Sequence, residues 1–231
     1  EIEYVPDGNL VFSGDETGNI LIHDSQTGAT VPSLLFGMDA GITAMAISAD
    51  GHYLAIGGRT SMMLWNLSDQ TLITQEMIGH QNTIEELLFD DEAESLFSAS
   101  RDDTIIQWST SNGEYIRQFS GHDDWVLSMA LHPEENILVS GDRQGSIYLW
   151  DLDTGRSVGD AINGPAGWIT NLYFVGENDL IGSNRDSGLV LTWSLDPNHW
   201  VEIACETSNR RLSADEWRLF FYNLDYDPTC Q

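Results

Sequence analysis

The feature that most narrows what this chain can fold into is a repeat of about 42 residues. Trp65, Trp108, Trp150 and Trp193 are spaced 43, 42 and 43 residues apart, and each closes a short apolar run: MMLW, IIQW, IYLW and LTW. His23 stands about one period earlier, at the end of ILIH. A second series, Gly37, Gly79, Gly121 and Gly164, keeps the same period. A family of turns (VPDG, SADG, FDDEA, LHPEE, VGEND) keeps it as well. Three registers with one period mean one unit of structure repeated along the chain.

Within a period the pattern is that of short strands. TAMAISADGHYLAIGG alternates apolar and small or polar residues around an Asp-Gly turn, and VLSMALHPEENILVSGD does so around a Pro-containing turn. SIYLWDLDTG supplies a third strand, and segments such as EYIRQFSG (114–121) supply a fourth. Four antiparallel strands per period make one blade of a β-propeller, so the expected class is all-β.

On these residues the chain resembles the WD-repeat family. GHDDWVLSMALHPEENILVSGDRQGSIYLWDLDTG (121–155) has the Gly-His opening and the Trp-Asp close of one such repeat. The resemblance covers five copies, 1–37, 38–79, 80–121, 122–164 and 165–195. Rings of this family usually hold seven blades. The resemblance therefore implies a C-terminal part of a longer propeller, with a closed five-bladed ring as the alternative.

The period stops at 196–231. Asp196 as N-cap with Pro197 behind it, and Ser213 with Glu216 as a capping box, predict two short helices. Trp200, Ile203 and Ala204, then Trp217, Phe220 and Phe221, give each an apolar stripe that docks on the propeller. Cys205 and Cys230 bracket this tail and are read as close together, either as a disulfide or as buried thiols. The pattern W…AC…NRRLSADEW…Y…Y…TC resembles the end of bacterial, cyanobacterial-type multidomain WD-repeat signalling proteins. That resemblance implies a cytoplasmic protein whose effector (an NTPase, caspase-like protease, TIR domain or kinase) lies upstream.

Charge limits the partners. There are 37 acidic residues against nine basic ones, all of them Arg, for a net charge of −28. Such a field repels nucleic acid and anionic membrane surfaces, and a protein or peptide is the expected partner. Without Lys there is no phosphate-binding loop, and the six histidines and two cysteines show no zinc spacing. No cofactor, metal or catalytic activity is expected.

Ser98, His80 and Asp102 raise the question of a catalytic triad. The family resemblance implies instead a structural network running through Trp108. In the next copy His122, Ser140 and Trp150 recur, but Gln144 stands where the acid is expected, so that network is expected to lack its carboxylate.

Another register points outward. Arg59, Arg101, Arg143 and Arg185 recur at intervals of 42, in the hairpin loop of each blade, and form an arc on one rim. Either each Arg pairs with a local Asp (Asp102, Asp103, Asp142, Asp186), or the arc binds an anionic partner group. Trp125 and Trp168, 43 apart, reach the same rim, with Asp123 and Asp124 beside the first. They are read either as partner contacts or as packing between blades. The expected function is a non-catalytic interaction or sensor module of a bacterial signalling or defence protein. The alternative is a structural or autoinhibitory module packed on an effector in the same chain.

Overall fold

A computed structural model describes residues 1–196 except 7, 33–36 and 39. The tail helices and both cysteines lie outside the described residues. Five antiparallel sheets follow one another, each built from a contiguous stretch of chain. The first holds β1 (Ile2–Tyr4), β2 (Leu10–Gly14) and β3 (Ile20–Asp24). The second holds β4 (Ala44–Ile47), β5 (Tyr53–Gly57), β6 (Ser61–Asn66) and β7 (Thr71–Ile78). The third holds β8 (Ile84–Phe89), β9 (Ser95–Ser100), β10 (Thr104–Ser109) and β11 (Tyr115–Ser120). The fourth holds β12 (Val126–Leu131), β13 (Ile137–Asp142), β14 (Ser146–Asp151), β15 (Arg156–Ser157) and β16 (Ile162–Asn163). The fifth holds β17 (Ile169–Val175), β18 (Asp179–Asn184) and β19 (Leu189–Ser194).

These are propeller blades in strand order, and two details differ from a uniform four-stranded repeat. The first and fifth sheets have three strands among the described residues. In the fourth blade the outer strand is split, with β15 and β16 both pairing with β14. The split spans Gly159, whose φ of +72° is left-handed and breaks the ladder. No strand pairing joins the first sheet to the fifth among the described residues.

The core lies between blades. Along β5, Leu54 and Ile56 face the first blade while Ala55 faces the third. Along β6, Met63 and Trp65 face the first while Met62 and Leu64 face the third. This is the period of two expected of strands buried on both faces. Phe97, Ile105 and Phe119 meet Val126, Leu138 and Trp150 at the seam of blades three and four. Val139 and Ile147 meet Ile169, Leu172 and Leu180 at the next. Apolar side chains stand exposed on the end blades among the described residues: Ile2 is 71% exposed and Val190 70%.

Inner strands are also joined by polar stitches. Ser128 Oγ donates to the Ile169 carbonyl at 2.9 Å, and the Met129 amide donates to the Glu86 carboxylate. Burial pushes Glu86 up to about 8 against the pull of that amide, with the charge of Glu3 adding to the rise.

Gly141 on β13 leaves no room for a side chain: an added Cβ would lie 2.5 Å from Ile169 Cγ2. Gly141→Ala is expected to destabilise by about 1–3 kcal/mol, read as a lower thermal midpoint. For Glu86 the sign follows from its raised value. The folded chain holds the proton toward pH 8 while the unfolded chain releases it near 4.5, so stability falls as pH rises through that window. Glu86→Gln is expected to raise the midpoint above wild type at pH 8 and beyond, with the gain vanishing near pH 4.5, in melts across pH.

Candidate functional site

Each of blades three and four encloses a chain of four polar groups. Trp108 Nε1 donates to Ser98 Oγ at 2.8 Å, and Ser98 Oγ lies 2.7 Å from His80 Nε2. His80 Nδ1 lies 3.0 Å from Asp102 Oδ2. An ionised Asp only accepts, so Nδ1 carries the proton and Nε2 takes the Ser hydroxyl. Every donor then has one acceptor, from indole to hydroxyl to imidazole to carboxylate.

Asp102 is positioned by its turn, accepting from the Gln81 amide at 2.7 Å and the Thr104 hydroxyl at 2.6 Å. Burial alone would push its carboxyl up. The bonds from His80, Thr104 and Gln81 outweigh that and hold it at about 2. Ser98 has no exposed surface and its oxygen already takes the indole, so this triad is closed to a substrate.

The fourth blade corrects the expectation that its network lacks an acid. His122 Nε2 lies 2.6 Å from Ser140 Oγ, which accepts from Trp150 Nε1 at 2.8 Å. Its Nδ1 lies 3.1 Å from Asp142 Oδ2. Asp142 stands two residues after the Ser, whereas Asp102 stands four after, and Gln144 only lends its amide to Asp142 at 2.9 Å. Two positions of one turn reach the same imidazole. The repeated SGD of 13–15 and 140–142 was the available signal.

The rim carries the other constellation. The backbone amides of Arg101, Arg143 and Arg185 donate to the carbonyls of Thr83, Trp125 and Trp168 at 2.9, 3.0 and 2.9 Å. Each bond ties a hairpin loop to the residue that leads into the inner strand. The side chains then stack in order along the rim. Arg101 lies 4.5 Å from the Trp125 ring centroid, and Arg143 lies 4.4 Å from it on the same blade. Arg143 also lies 5.3 Å from Trp168, which Arg185 covers at 4.7 Å. The rings of Trp125 and Trp168 meet edge-on at 6.1 Å. Three guanidinium groups and two indoles thus form one ladder across blades three to five.

Among the described residues, none of Asp102, Asp103, Asp142 and Asp186 is the ion-pair partner of a rim arginine. Arg101 Nε is paired with Glu85, a residue the sequence reading missed, and Arg143 Nη1 lies 3.9 Å from Asp124. Asp102 and Asp142 are occupied by the histidines. Asp123 is exposed beside the ladder, and Asp103 has its carboxyl raised by burial and by its acidic neighbours, Asp124 first. Arg59 and Arg185 are exposed and have no ion pair among the described residues. Among those residues no group of three or more His, Cys, Asp or Glu is arranged to hold a metal.

Blades closed by Trp–Ser–His–Asp chains define a WD-repeat propeller. Residues 31–66, 71–109 and 113–151 match the family model "WD40: WD domain, G-beta repeat", and the chain belongs to the WD-repeat β-propellers. It is 28% identical over 177 residues to the nuclear distribution protein nudF of Aspergillus niger, covering 67% of this chain and 39% of that one. It is 22% identical over 223 residues to guanine nucleotide-binding protein subunit beta of Oryza sativa subsp. indica, covering 90% and 58%. The chain therefore spans well under two thirds of either relative. Among solved structures, the computationally designed Ika8 protein is similar at a TM-score of 0.72 and 26% identity, over 85% of this chain and 58% of that one. U3-55K, at 0.73 and 24% over 84% and 60%, shows the fold alone.

The lowered Asp102 sets a pH test. Its stabilisation is present above the ordinary 3.8 and is lost as pH falls toward 2. Asp102→Asn is expected to lose on the order of 1–2 kcal/mol at neutral pH, allowing for solvent screening, and to lack the wild-type loss in acid. Thermal melts of both proteins across that window check it.

Proposed function

We propose that this chain is a non-catalytic interaction module that binds a protein or peptide on the ladder rim. The observation that carries the reading is the ladder itself. Trp125, Trp168 and the arginines between them are only partly buried, and Arg185 is exposed. Trp and Arg held rigid and half-desolvated have the composition of a binding hot spot. The chain has nine basic residues, and four of them stand in this register, against an otherwise acidic surface. Membership of a scaffold-forming family supports the same reading. A bacterial signalling or defence setting, an upstream effector and a cytoplasmic location are supported by the resemblance of the tail, while the nudF and subunit beta relatives are from Aspergillus niger and Oryza sativa.

A second reading is favoured by the exposed apolar side chains of the end blades among the described residues. Ile2, Tyr4 and Leu21 on one, and Tyr173, Val175 and Val190 on the other, are exposed apolar side chains on sheets whose inner faces are buried against neighbours. They suit packing against further blades, as in a larger ring, or against an effector of the same chain.

The rim reading is tested by pull-down. Trp125→Ala and Arg143→Ala, checked for folding by melting, are expected to reduce partner recovery about tenfold or more. Unchanged recovery with folded variants overturns it.

A further inference from the structure

The ladder runs from Arg185 on the fifth blade to Arg101 on the third and stops there. In the register of Trp125 and Trp168, one period earlier, stands Thr83, and one before that Gly41. The Thr83 backbone occupies the tryptophan position, because its carbonyl takes the Arg101 amide at 2.9 Å just as Trp125 takes that of Arg143 at 3.0 Å. Only the indole is missing. By the 42-residue register, the arginines on either side of that position are Arg59 and Arg101, as Arg101 and Arg143 flank Trp125.

Arg59 differs from its counterparts. Gly41 gives it no ring on its own blade, and Thr83 gives it none on the next. It is exposed, with no ion pair and no ring contact among the described residues. Its planar fork therefore keeps its stacking face and all its N–H donors available. Arg101 is held in place from one side by Trp125 and by its pair with Glu85.

We propose that the notch over Thr83 receives an aromatic side chain of the partner as the missing rung, between Arg59 and Arg101. This deepens, and rests on, the rim reading above. The donors of Arg59 call for one carboxylate next to that aromatic residue. A polyacidic segment is turned away by the net charge of −28. The partner segment is therefore a peptide with one aromatic and one adjacent acidic residue in an otherwise neutral or basic stretch.

The probe is a capped, dye-labelled hexapeptide, Ser-Lys-Trp-Glu-Ser-Lys, followed by fluorescence anisotropy with the 231-residue chain. Replacing the peptide Trp by Ala is expected to weaken binding about fivefold or more. Thr83→Trp supplies the rung internally; it is expected to weaken the peptide by the same factor while keeping or raising the thermal midpoint. Arg59→Ala is expected to weaken it as much, and Glu177→Gln, in the exposed turn at the opposite end of the fifth blade, to leave it within twofold or so. No binding of the peptide, equal binding of its Ala version, or full binding by folded Thr83→Trp overturns the proposal. If Trp168→Ala abolishes binding and Thr83→Trp does not, the notch fails and the rim reading stands. If binding persists through every rim variant, both fail.

Discussion

Face-to-face apolar contact between neighbouring sheets is the constraint on which everything else in the molecule depends. A single blade is a twisted sheet with two apolar faces and no core of its own. The seams supply that core, and they use the repeat tryptophans twice. The Trp150 ring fills the seam of blades three and four, 5.8 Å from Phe119, while its N–H anchors the polar chain to Ser140. One residue thus fixes both the spacing of blades and the register inside one.

Arginine has a related use. In a chain with so few basic residues, several bridge neighbouring blades. Arg101 reaches Trp125 of the next blade, and Arg143 reaches Trp168. Arg117 on β11 donates to the Leu152 carbonyl of the fourth blade at 2.7 Å. A long stem with a flat, always-charged head can stack and donate at once, which a compact ammonium does less well. The rim is ordered by the same contacts that hold the arc of blades together.

The blades were legible because strand alternation and turn chemistry are local, and repetition multiplied the signal. The His80 network was legible through the family pattern of residue types. The fourth-blade acid was missed because a fixed offset was sought, while an imidazole can be reached from Asp142 as well as from the position of Asp102. The ladder could be placed on one rim from its register, but its stacking order depends on how far one blade is rotated from the next. Glu85 escaped notice because its partner Arg101 lies 16 residues away and meets it only once β8 and β9 pair.

Arg143 lies between an indole of its own blade and an indole of the next. Its contacts therefore depend on the width of the seam beneath it. Any force that spreads the two blades loosens the rung, and any ligand that tightens the rung resists the spreading, by thermodynamic reciprocity. Occupancy of the rung at the surface and the width of the seam beneath it are two readings of one coordinate.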